Sequence, residues 1–354
     1  MHKLIRKIVE SRYDIGRVAE VREIYGGFNN RSFRVVTHTS DSRSLYLVRR
    51  YRETTTLSEI RFEHRLVGYA RAHGMEIIAD ILKTTKGDTF VETEGAVIWC
   101  VCGYLPGEDR YSWTETQLRD REFAHAAKVL ADYHNAVCGF DPGAFKRAEP
   151  PIKALLPLLP GEMERVAKGN RADPFYRCCG GSIGEMLAVI RRRSPGPDLL
   201  EGLPEVAAHY DFHPGNLKWK DREVVGLFDF DWAKMDLRLF DLCMALVYCC
   251  THWGGESDGA FRPEKAAIFL KRYQERMRLI KGLEPVSEEE SAFFADMLAI
   301  ANLYLIRWEM TDYARIGAVR TEEYLVYLEH SVRLMHWIEQ CHTELVGWAK
   351  EALN

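Results

Sequence analysis

Between His209 and Asp231 the chain has few options. The strand-forming runs Leu217-Lys218-Trp219 and Glu223-Val224-Val225-Gly226-Leu227-Phe228 are separated only by Lys220-Asp221-Arg222. So short a connection joins antiparallel strands, and a β-hairpin is predicted. The hairpin would set Asn216, at the start of its first strand, beside Asp229, at the exit of its second. An amide oxygen and a carboxylate held together can share one hard divalent cation, which takes oxygen ligands. Asp211 lies five residues before Asn216, on the adjoining loop, where it can accept a proton from a hydroxyl. A rival reading takes the alternating His209, Asp211 and His213 as metal ligands on one face of a strand, as in a metallohydrolase. Pro214-Gly215 would break that strand, and no further ligands follow at metal-binding spacing.

Around this segment the pattern divides in two. Val21–Tyr25, Ser32–Thr37 and Ser44–Arg49 read as strands, Glu59–Arg71 as a helix, and Thr89–Glu92 and Ala96–Cys102 as two more strands with a turn at Glu94-Gly95. Strands, one helix and strands again give an α+β layout, not an alternating βαβ one. After Tyr104 the character is helical. Thr114-x-x-Gln117 reads as a capping box for a helix whose face carries Phe123, Ala127, Leu130, His134 and Val137. The proline-rich stretch 141–160 reads as an irregular connector, and 262–282, 287–314 and 321–352 as long amphipathic helices. The boundary falls near Cys102–Gly107, giving units 1–102 and 103–354.

Composition narrows the function. The 354 residues are 47% hydrophobic with a formal net charge of −4, which argues against a general binder of nucleic acid or anionic membrane. The run Arg191-Arg192-Arg193 reads as a solvated helix end. Charges interrupt the apolar pairs of residues 1–10, so these cannot form the core of a signal peptide, and Leu242–Cys250 is too short to span a bilayer. The nine cysteines, at spacings unlike a zinc site, are expected to be reduced thiols in a cytoplasmic protein.

The order His209-Tyr210-Asp211, Asn216, Asp229 resembles the catalytic loop and metal aspartate of eukaryotic-type kinases. More specifically, the sequence resembles the aminoglycoside phosphotransferase family, which includes choline kinases and type II homoserine kinases. That resemblance implies a protein-kinase-like two-lobed α+β fold and transfer of the ATP γ-phosphate, with Mg2+, to a hydroxyl of a small molecule. It assigns Asp211 as catalytic base, Asn216 and Asp229 as metal ligands, and His213 as a contact to the transferring phosphate. Asp231 matches the second acid after the metal aspartate and is taken as a further metal ligand, and Asp241 either braces the loop or caps the next helix.

In the N-terminal half, Gly26-Gly27-Phe28-Asn29-Asn30 would lay backbone over the phosphates, with Gly27 and Asn30 nearest the nucleotide. Arg49 stands where kinases place a phosphate-gripping lysine, with Arg50 as the alternative, and Glu63 is the expected partner, ahead of Glu59. Cys102 belongs to the hinge expected to receive adenine. A silent kinase fold and a protein kinase remain open. Against the second, only nine residues, Trp232 to Phe240, separate Asp231 from Asp241, too few for a peptide-binding activation segment, and no Ala-Pro-Glu follows. The acceptor would therefore be recognised by the connector 141–200 and the later helices, where Arg307, Trp308, Glu309 and Asp312 mark either an acceptor pocket or a solvated helix end.

Overall fold

The structure, a computed structural model, describes residues 1–24, 30–40, 42–114 and 117–353. Helix α1 (His2–Arg12) precedes strands β1 (Arg17–Ile24), β2 (Arg31–His38) and β3 (Arg43–Arg50), then helix α2 (Leu57–Ala72), β4 (Val91–Thr93) and β5 (Val97–Gly103). The strands form one antiparallel sheet in the order β1-β2-β3-β5-β4. Alternation sorts its faces. Phe33, Val35, Val48, Trp99 and Val101 pack with Ile5, Ile8 and Val9 of α1, while Ile98, Cys100 and Cys102 on the other face pack with Tyr51 and Ile60. Helix α2 starts two residues earlier than its periodicity indicates. Thr56 Oγ1 accepts from Glu59 N at 3.3 Å while Glu59 accepts from Thr56 N at 2.8 Å, a reciprocal cap.

The rest is mostly helical. Helices α3 (Asp120–Ala136), α4 (Ile152–Leu155), α5 (Leu159–Ala167), α6 (Pro174–Arg193) and α7 (Pro197–Glu201) lead to strands β6 (Glu205–Ala208), β7 (Leu217–Lys220), β8 (Glu223–Leu227) and β9 (Lys234–Leu237). Then come α8 (Arg238–Cys249), α9 (Pro263–Leu279), α10 (Glu288–Ala292), α11 (Phe294–Ile316), α12 (Thr321–Gln340) and α13 (His342–Leu353). The predicted face of α3 is buried throughout. Its start is later than expected: no helix begins at Thr114, and Glu122 caps the chain by accepting from Arg119 N at 2.7 Å. The long patterns after residue 285 break at Phe293 and Cys341. Together these elements make a two-lobed, protein-kinase-like α+β fold, with a small sheet-bearing lobe above a larger helical one.

Strands β7 and β8 form the expected hairpin, with Asp221 and Arg222 both at positive φ, as a tight two-residue turn requires. Strand β9, inside the nine-residue stretch after Asp231, pairs with β6 and runs directly into α8. That stretch is therefore core, not a platform for a peptide. Among the described residues no helix is long and apolar enough to cross a membrane. All nine cysteines are free of disulfide bonds.

Candidate active site

The loop after β6 is held from below by one carboxylate. Asp241, fully buried, accepts the backbone N–H of His209 at 2.8 Å and of Tyr210 at 2.7 Å, and faces His134 Nε2 at 2.9 Å. As the fourth residue of α8 it braces the loop and does not cap the helix. Burial alone would raise its pKa, but the hydrogen bonds and charge of His134 and His209 hold it below the usual carboxylate range. Tyr210 takes φ +70°, which turns the chain out of the strand, so His209, Asp211 and His213 do not line one strand face. Burial lowers the pKa of His209 below the ordinary imidazole value. Its Nδ1 accepts from Asp211 N at 3.3 Å and its Nε2 meets Phe228 O at 3.1 Å, tying the loop to the hairpin exit.

Asp211, Asn216 and Asp229 line one cleft. Asn216 Nδ2 donates to Asp211 Oδ2 at 3.0 Å and to Asp211 O at 2.9 Å, which leaves its amide oxygen for another partner. Phe228 N donates to Asn216 O at 3.2 Å, so the hairpin closes with Asn216 and Asp229 at the same end. Burial works to raise the pKa of Asp211, but His213, whose Nε2 lies 3.7 Å away, and His209 bring it below the ordinary value. Asp229 sits at φ +64°, unusual for a residue with a side chain, and its Oδ1 is sealed from solvent without a hydrogen-bond partner. Burial and the neighbouring Asp231 push its carboxyl up to about 8. An orphaned acceptor among other acids is a demand for a cation. The donor set, one carboxylate and one amide oxygen, suits a hard divalent ion that takes its remaining oxygens from phosphate. Among the described residues no group of three or more His, Cys, Asp or Glu is arranged to hold a metal by itself.

The sheet supplies the opposite wall. Arg49 shares a face with Leu47 and, across the ladder, with Cys100 and Cys102. Its Nη1 lies 2.9 Å from Glu63 Oε1 and 3.0 Å from Asp231 Oδ1, and the second oxygen of Asp231 accepts from Asn30. Glu59, by contrast, is spent on its cap and on Arg147, and Arg50 points to Glu53. Asp231 therefore reaches across the cleft to Arg49 and Asn30 with both oxygens. Asn30, Cys102 and Gly103 line the cleft, while Gly27 lies outside the described residues. The apolar end of the cleft is built by Ile24, Leu47, Ile78, Cys102, Leu105 and Leu227.

At the other end stand Trp113, Tyr248, Tyr304, Trp308 and Glu309. Nothing in the sequence distinguishes Trp113, Tyr248 and Tyr304 from the chain's other aromatic residues. Of the four residues at the end of α11, Trp308 and Glu309 line the cleft. Arg307 is paired with Glu149 and Glu162, and Asp312 with Arg315 and Tyr324. The connector 141–200, expected to recognise an acceptor, contributes no lining among the described residues. The whole cleft holds about 550 Å³, within the usual range of small-molecule sites.

A family model described as phosphotransferase enzyme family matches residues 20–280. The chain is 25% identical over 326 residues to a homoserine kinase of Xanthobacter autotrophicus, covering 90% of this chain and 89% of that one. The fold is similar to that of spectinomycin phosphotransferase in complex with ADP and spectinomycin, with a TM-score of 0.62 at 12% identity over 96% of this chain and 98% of the other. It is equally similar to that of a choline kinase from Cryptosporidium parvum, with a TM-score of 0.62 at 14% identity over 99% and 100% of the two chains.

Proposed function

The chain belongs to the phosphotransferase enzyme family, and from that membership we propose that it moves the γ-phosphate of ATP, with Mg2+, to a hydroxyl of a small molecule. The observation that carries this reading is the meeting of Asp211, Asn216 and Asp229 in one cleft, with Asp229 Oδ1 lacking any partner. Residues 1–102 would hold the nucleotide chiefly, adenine in the apolar end beside Cys102 and the phosphates under Arg49. Residues 103–354 would supply the chemistry and the acceptor wall.

In this reading each side chain has one task. Asn216 and Asp229 would hold Mg2+, which when bound neutralises phosphate charge and orients the β- and γ-phosphates. Arg49, fixed by Glu63 and Asp231, offers a guanidinium to phosphate oxygens. Asp211, kept ionised beside His213, accepts the acceptor's hydroxyl proton and aims its oxygen. His213 accepts from Gly215 N at 3.0 Å through Nδ1, so Nε2, which faces Asp211 at 3.7 Å, is the nitrogen that would approach the transferred group. Catalysis then comes mainly from positioning and charge, as phosphoryl transfer requires.

The test is ATP consumption by the purified protein against pooled small alcohols, amino alcohols, hydroxy amino acids and sugars, and separately against native and denatured protein mixtures. Turnover with a metabolite pool and none with proteins is expected. Specific labelling of protein Ser or Thr with no metabolite consumed would overturn the reading.

A further inference from the structure

Asp231 lies two residues beyond Asp229 in the same cleft, yet the two acids are in opposite states. Asp229 Oδ1 is sealed and has no partner. Both oxygens of Asp231 are engaged, and both by the sheet-bearing lobe: Oδ1 with Arg49 Nη1 at 3.0 Å and Oδ2 with Asn30 Nδ2. A metal on either oxygen of Asp231 would have to displace or crowd one of these donors.

The contacts belong to a larger joint between the lobes. Asn30 Oδ1 accepts from Arg52 N at 3.1 Å, which fixes the carboxamide with its Nδ2 towards Asp231. The Arg52 guanidinium lies over the Trp232 ring, 5.9 Å from its centre. Two consecutive residues between β8 and β9 thus hold the residue before β2, the end of β3 and the chain just beyond it.

Arg49 gives this second acid a purpose. Its Nη1 also lies 2.9 Å from Glu63 Oε1 on α2. That nitrogen carries two N–H groups in the guanidinium plane, so two acceptors, one from each lobe, fix the orientation of the plane. One acceptor alone leaves the plane free to turn. With Nη1 committed, the rest of the fork is what remains to meet phosphate. An ammonium has no plane to set and would need only Glu63.

We propose that Asp231 is a positioning residue and not a metal ligand: it ties the helical lobe to the sheet-bearing lobe through Asn30 and Arg49 in the empty protein, and so sets the guanidinium that meets the nucleotide phosphates. The phosphate half of this statement rests on the function proposed above; the tie does not, because it is read without nucleotide or metal.

Amide hydrogen exchange of the full chain, in chelator and without nucleotide, reads the tie. Asp231→Asn keeps the side chain's size but replaces one acceptor oxygen with an NH2 that faces another donor. Exchange at the Arg52 amide, in the opposite lobe, should quicken about tenfold or more. Asn30→Ala breaks the joint from the other side, and there the reporter is the Ala233 amide, which donates to Phe230 O at 3.1 Å. Calorimetry then tests the metal. In Asp231→Asn the ratio of ATP affinity with Mg2+ to that in chelator should stay within about threefold of the parent, whereas loss of a metal ligand would bring it close to one. Finally, Asp231→Asn should lower kcat/KM for ATP about tenfold in the parent but less than about threefold when made on Arg49→Lys, where there is no plane to set.

Unchanged exchange in both variants would overturn the tie, and each variant reads it if the other fails to fold. An affinity ratio near one in Asp231→Asn, or an equal loss of kcat/KM in the two backgrounds, would overturn the positioning role. Faster exchange in both variants of a protein that binds no ATP would support the tie and count against the kinase reading. Turnover of a small hydroxyl compound by the parent, with exchange unmoved by either variant, would do the reverse.

Discussion

Asp229 and Glu309 each bury one carboxylate oxygen without a hydrogen-bond partner, and each has its carboxyl pushed up to about 8, yet their surroundings differ. Asp229 has Asp231, Asp211 and Glu63 in its field and Arg49 as the opposing charge. Glu309 has burial and one hydroxyl. The first environment concentrates negative charge from several acids, which suits a divalent cation. The second is a solitary acid with no counter-charge in its field. Two similar carboxyls thus call for different partners, because neighbours and not the group itself decide what completes them.

The largest effect should come from opening the first environment. Asp229→Ala removes a ligand that a methyl group cannot replace. Phosphoryl transfer should fall below detection, and nucleotide affinity should become the same with Mg2+ as with a chelator. Unchanged Mg2+ dependence in calorimetry would remove Asp229 from the metal site. Next in size is Asp211→Asn, for which turnover should drop by about 10²–10⁴ while ATP–Mg2+ binding persists. Turnover within tenfold of the parent would show that Asp211 is not the base.

These two sites also differ in how far the sequence displayed them. Asp211, Asn216 and Asp229 lie within nineteen residues, and the hydrogen bonds that set them run inside that stretch, through a hairpin whose turn and strands are local signals. Asp241, which braces the loop, was legible as a residue but its task was not, since a cap and a brace look alike until the donors are known. Glu309 stands at the end of an apolar run on α11, and the groups around it come from α6, α8 and α12. No periodicity brings those together. The misplaced starts and breaks of helices have a similar cause. A cap made by Glu122 on Arg119 wins over the plausible pattern at Thr114, and apolar spacing runs on across the breaks at Phe293 and Cys341 because both sides of each break are buried in the same core.

Between the two environments stands Arg49, whose removal tests the register of β3. Arg49→Ala should lower kcat/KM for ATP by about 10²-fold, an order expected when a charge gripping phosphate is lost and Glu63 and Asp231 are left facing the nucleotide. Arg50→Ala, which loses only a surface contact to Glu53, should change it less than twofold. If Arg50 proved the sensitive position and Arg49 silent, the guanidinium under the phosphates would be assigned one residue too early.

The smallest effect expected is also the one that separates the two orphaned acids most cleanly, because it reads Glu309 in the empty protein. Its folded pKa, about 8, lies above the value near 4.5 of the unfolded chain. Between these two values the unfolded state binds fewer protons than the folded state, so this group makes stability fall as pH rises from about 4.5 to 8. Below that window Glu309 is neutral in both states and adds no pH dependence. The full linkage at pH 7 amounts to no more than about 3 kcal/mol, and relaxation around the site will reduce it. Glutamine keeps the shape and the Ser331 hydrogen bond without the titration. Glu309→Gln should therefore raise the melting temperature by about 2–5 °C at pH 7.5 and by only about a quarter as much at pH 5, near the lower edge of that window. Equal melting curves for the two proteins at both pH values would mean that Glu309 is already compensated in the empty cleft, and the contrast with Asp229 would fail.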